Sequence, residues 1–142
     1  MFQLLLGALM AGSVGEVPAS VWHCTNNLEV WCTVDSCAAR PSDEMTPMSI
    51  AAKIEGAGTG AVSVCAYSGC WEGASAVTRV NGRTLWAADD LGFSTQPDGG
   101  FTGDVTLMII EKEGVGFVRV GGIASPLFCE RRNPDDASHP DR

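Results

Sequence analysis

The sequence predicts an all-β fold: a small antiparallel barrel or sandwich of about eight short strands, stapled by disulfides. Three observations predict it. Short apolar stretches recur between turn residues at regular spacing. No stretch sustains a helical period with caps. Six cysteines form an even set, and the C-x4-C spacing occurs twice, in "CTVDSC" (Cys32 to Cys37) and "CAYSGC" (Cys65 to Cys70).

The elements follow in chain order. Within residues 21–33, short apolar stretches flank "TNN", with Asn26-Asn27 as a turn candidate. Residues 38–47, "AARPSDEMTP", form a polar, proline-bearing loop. Residues 48–55 alternate, placing Ile50, Ala52 and Ile54 on one face of a strand. "GAGTG" interrupts, and "AVSVCA" resumes. The strongest local signal is "SAVTRVNGRTLWAA". Its Asn81-Gly82 pair suits a type I′ hairpin turn, which sets Val80 opposite Arg83 and Val77 opposite Trp86. An acidic, glycine-rich stretch follows, in which Leu91 and Phe93 mark a short strand and "PDGG" a turn. "VTLMIIEK" and "VGFVRVGGI" are two strands that meet at Glu113-Gly114 or across a four-residue loop. Both carry apolar residues on both faces, as central strands under cover do. "SPLFC" ends the domain.

The chain divides into residues 1–15, a signal peptide; 16–129, a single β domain; and 130–142, a disordered acidic and polar tail. The apolar run from Phe2 to Ala11 is too short to span a bilayer. Small residues at Ala11 and Ser13, or at Ser13 and Gly15, suit the cleavage positions, although no Lys or Arg precedes the run. Cys24 follows "VWH", which is not a lipoprotein setting.

Export selects the cysteine chemistry. Oxidising compartments close cysteines into disulfides. Zinc knuckles usually have shorter spacings, and redox pairs usually read C-x-x-C before a helix. Connectivity is not fixed by sequence, but locality pairs Cys32 with Cys37 and Cys65 with Cys70. That leaves Cys24 with Cys129, tying the first strand of the domain to the last.

Charge excludes some partners. Nine Lys and Arg face 17 Asp and Glu, a net charge of −8. Nucleic-acid binding needs a basic footprint, and anionic lipid repels an acidic protein. No membrane insertion is expected after signal removal. An acidic surface attracts a cationic partner.

Catalytic sets are thin. His139 lies in the tail, and His23, beside Cys24, points to the opposite face of its strand with no G-x-S-x-G elbow in the sequence. Asp89 and Asp90 are adjacent, so on a regular strand they point opposite ways. "GAGTGAVS" lacks the Lys of a phosphate loop. Asp89, Asp90, Asp98 and Asp104 offer hard oxygens without the EF-hand spacing, and read as a solvated acidic loop. No catalytic residue, metal or cofactor is expected.

The order W-x-C, then C-x4-C with Asp-Ser before its second cysteine, then "VSVCAYSGCWEG", then a glycine-led last strand ending "FC", resembles small exported bacterial cysteine-rich β proteins of unassigned role. That resemblance implies a bacterial, periplasmic or secreted setting and carries no active site with it. Small periplasmic barrel inhibitors of lysozyme are similar in size, export and fold class alone; their Tyr-, Gly- and Trp-rich recognition signature is not found here. The functional expectation is a non-catalytic binding module for a protein partner, an envelope interaction protein or inhibitor, with Tyr67 and Trp71 around the Cys65 to Cys70 loop as its anchors. The alternative is a carrier of a small apolar ligand inside the barrel.

Overall fold

A computed structural model describes residues 20–95 and 101–133. The described residues contain strands and no helix: β1 (Val21–Asn26), β2 (Glu29–Cys32), β3 (Cys37–Arg40), β4 (Ser49–Gly56), β5 (Thr59–Ala66), β6 (Gly69–Val80), β7 (Arg83–Gly92), β8 (Thr102–Ile110), β9 (Val115–Val120) and β10 (Ile123–Arg132). Eight of them, β1-β4-β5-β6-β7-β8-β9-β10, form an antiparallel wall, and the pairing of β10 back to β1 closes it into a barrel. The remaining two, β2 and β3, form a hairpin that extends the wall beyond β10.

Alternation builds the interior. In β5, Val62, Val64 and Ala66 are buried while Ala61, Ser63 and Cys65 face outward. In β8, Val105, Leu107 and Ile109 are buried in the same way. Trp86 of β7 is fully buried, and its indole N–H donates to the Lys53 carbonyl at 3.0 Å. Gly60 makes room for this arrangement. A Cβ there would fall 2.3 Å from the Lys53 carbonyl oxygen and 2.7 Å from Val77 Cγ2. Ile50, Val64, Leu107, Ile109 and Val118 are also sealed from solvent and form the core of the barrel with Trp86.

The hairpin at Asn81-Gly82 has the expected form. Both residues have positive φ, 50° and 74°, Val80 pairs with Arg83 and Val77 with Trp86. Between β8 and β9 the four-residue loop is the one adopted, with Ile110 paired to Val115 and Gly114 at φ 65°.

The structure departs from the sequence expectation in four places. Asn26-Asn27 does not reverse the chain: β1 and β2 both pair with β10, running the same way along it, so they are one strand with a bend. The loop expected at residues 38–47 begins later, because Cys37–Arg40 pairs with β2 as β3. The outer faces of β8 and β9 are not covered by a second layer of described residues: Phe117 is 41 % exposed and Met108 and Ile110 are half-buried. A barrel has one inside, so one face of every strand looks outward. The ladder also outlasts Cys129, because Glu130, Arg131 and Arg132 pair with His23, Trp22 and Val21. The expected signal peptide, the "PDGG" turn, Asp98, His139 and residues 134–142 lie outside the described residues.

All three expected disulfides are formed, and each joins residues directly opposite one another in a ladder. Cys24–Cys129 crosses the seam where β1 meets β10. Cys32–Cys37 closes the β2–β3 hairpin, and Cys65–Cys70 the β5–β6 turn.

Candidate functional site

Antiparallel alternation sends the β5–β6 turn, the end of β7, the start of β8, the β9–β10 turn and the β2–β3 hairpin to the same end of the barrel. Aromatic residues gather there. Trp71 packs in a tilted arrangement against Phe93 at 4.6 Å and Phe101 at 5.5 Å, and Phe93 meets Phe101 edge-on at 5.7 Å. A cleft of about 350 Å³ opens beside this cluster, walled by Trp31, Tyr67, Trp71, Phe101, Val120 and Ile123 and by the backbone at Gly121-Gly122.

The two expected anchors therefore share one cleft, in different roles. Trp71 is 3 % exposed and forms its floor. Its indole N–H has no hydrogen-bond partner among the described residues and lies against Gly103, 3.1 Å from where a Cβ would sit. Tyr67 is 68 % exposed and stands at the rim. Its φ is +56°, a conformation that L side chains adopt rarely. It sits in the two-residue turn between Ala66 and Gly69, directly behind the Cys65–Cys70 bond. Gly69 lets the turn approach the cluster: a Cβ there would fall 2.7 Å from the Phe93 ring.

Three contributors escape the sequence reading. Phe101 is half exposed at the start of β8. Trp31 is brought in by the bent strand, and its indole N–H donates to the Glu29 carboxylate. Glu29 is fully buried and also accepts from the Thr46 backbone N–H at 3.2 Å. Asn26 completes the joint, donating to the Thr46 carbonyl at 3.1 Å and accepting from the Met48 N–H at 2.8 Å. The third is Val34, fully exposed at the hairpin tip. Its loop is pinned by hydrogen bonds: the Thr33 hydroxyl accepts from the N–H groups of Asp35 and Ser36, and the Thr33 N–H donates to the Ser36 carbonyl at 2.8 Å. A Trp beside each C-x4-C pair, in "WCTVDSC" and "CAYSGCW", was the available signal.

Charge separates along the barrel. The mouth half carries exposed Asp35, Asp43, Glu44, Glu72, Asp89, Asp90 and Asp104, against Arg40 and Arg119. The far half carries Lys53, Arg79, Arg83, Lys112, Arg131 and Arg132 against four Glu. Among the described residues, every ion pair lies in the far half: Lys53–Glu55, Arg79–Glu111 and Arg132–Glu130. Arg79 grips Glu111 through both Nε and Nη2. The Thr84 hydroxyl also donates to Glu111, and this bond, with the Arg79 contacts, holds the Glu111 carboxyl below the usual range against burial.

The remaining sequence candidates stand apart from the mouth. His23 lies in an outer groove at the seam with Phe128, Glu130 and Arg132. Burial, and then Arg132, lower its pKa from the ordinary histidine value, with Glu130 opposing. Asp89 and Asp90 do not point to opposite faces: a bulge between Ala88 and Leu91, with Asp90 at φ 54°, exposes both. Asp104 is spent on that bulge, accepting from the Asp90 N–H at 3.0 Å. Among the described residues no three His, Cys, Asp or Glu side chains converge as a metal set.

No family model matches the chain, and no curated protein or solved structure is similar to it.

Proposed function

We propose that this protein is an exported, non-catalytic binding module of bacterial origin, periplasmic or secreted, whose contact face is the aromatic mouth of the barrel. The carrying observation is the cleft in which Trp31, Tyr67, Trp71 and Phe101 converge between two stapled loops. Aromatic anchors in preorganised loops lose little freedom on binding. Three disulfides fit an oxidising compartment, which supports export. The bulky, fully buried side chains of Trp86, Leu107 and Ile109 inside the barrel favour this reading over the carrier alternative. All six thiols are bonded, which leaves no cysteine nucleophile.

Photocrosslinking tests the contact face. Phe101→p-benzoylphenylalanine places a crosslinker at the mouth, and the same residue at Ala74, exposed on β6, reports background. A discrete adduct from position 101 and none from 74 is expected in the native compartment. Equal labelling at both positions, or none at 101, overturns the reading.

A further inference from the structure

We infer that the mouth receives a lysine or arginine side chain of a protein partner, seated on the aromatic lining within the acidic half of the barrel. This deepens the binding-face reading and rests on it. The first support is charge. Seven exposed acids face two bases in the mouth half, and none of the seven is in an ion pair among the described residues. Their field is therefore uncompensated locally, and it draws in and orients a cation. The second support is the lining. Tyr67 and Phe101 stand exposed at the cleft, and the faces of such rings attract guanidinium and ammonium groups. The third is that the chain itself places cations on its tryptophans, at the mouth and, with Arg131 over Trp22 at 5.8 Å, in the far half. The Arg40 guanidinium lies over the Trp31 ring, 5.1 Å from its centroid, while buried Glu29 pins the indole.

A macromolecular source for the cation follows from the hairpin. Val34 stands fully exposed on a loop held by Cys32–Cys37 and by the Thr33 hydroxyl. A small free cation in the cleft makes no use of this apolar tip, whereas a protein surface covers both. A protein surface also brings shape, so the stapled tip and the acidic half of the barrel act together in selecting the partner.

The test uses the purified, oxidised chain and three capped peptides of equal length and equal Leu and Trp content. One carries Lys and Arg, one Gln and one Glu at the remaining positions. Nuclear magnetic resonance follows the indole N–H signals of Trp31 and Trp71 and the Tyr67 amide at about 20 mM and about 300 mM salt. The basic peptide is expected to move all three signals, and to bind about tenfold more weakly at the higher salt. The Glu peptide is expected to move none. If the Gln peptide binds as well as the basic one, the cation inference is overturned and the apolar mouth stands. If no peptide moves these signals, or all of them move signals on the outer wall instead, both readings fall.

Discussion

At the scale of one residue, Tyr67 offers a way to separate stability from the proposed binding. Its left-handed backbone costs energy that a glycine does not incur, so Tyr67→Gly should leave the urea midpoint unchanged or raise stability by about 0.5–1 kcal/mol. The same change removes the exposed ring and should abolish the crosslink at position 101. A loss of stability without a loss of crosslinking would mean that Tyr67 serves the fold. Trp86 shows the opposite pattern. It is sealed in the core and bonded to the Lys53 carbonyl, so Trp86→Ala should cost about 3–5 kcal/mol in urea unfolding with no specific effect on the mouth. Glu111 sets a pH dependence. Its folded pKa lies below the unfolded one, so its contribution is present above the ordinary carboxylate range and is lost as pH falls through the lowered value. Thr84→Val removes the first cause of that shift. The Glu111 carboxyl should then titrate at higher pH in a ¹³C titration; an unmoved titration would show that Arg79 alone holds it down.

Among the elements, those with strong local chemistry were legible and those defined by distant partners were not. The β6–β7 hairpin could be placed to the residue, because Asn81-Gly82 leaves little choice of turn. The alternation in β4 likewise gave the buried face, with Ile50 and Ala52 inside. The bend at Asn26-Asn27 looked like a turn because the residues that make it a bend are remote. Asn26 is engaged by Thr46 and Met48, and both halves of the strand are held by β10. The mouth was half legible for the same reason. Tyr67 and Trp71 are neighbours of one staple, but Trp31 and Phe101 arrive by closure of the barrel. The joint gives a direct prediction. Asn26→Ala leaves the buried Met48 N–H without its acceptor and should cost about 1–3 kcal/mol. Amide exchange in residues 44–48 should accelerate more than in β7; uniform acceleration would show that the bend is no separate unit.

Over the whole molecule, the three staples divide the work. Cys24–Cys129 spans 105 residues of sequence and joins the strands at which the barrel closes. In the chain-entropy account such a bond contributes about 4–5 kcal/mol. The other two bonds span 5 residues each, contribute about 2 kcal/mol by the same account, and shape the two lips of the mouth. The central claim is that the wall holds the fold while the stapled mouth binds. Its most direct measurement compares two double variants, Cys24→Ser with Cys129→Ser and Cys65→Ser with Cys70→Ser, each carrying the crosslinker at position 101. Urea unfolding and crosslinking yield are read on both, under conditions where each remains folded. The account predicts the larger loss of stability in the first pair with crosslinking retained, and a smaller loss of stability in the second with crosslinking abolished. Equal destabilisation of the two, or full crosslinking after loss of Cys65–Cys70, would contradict it.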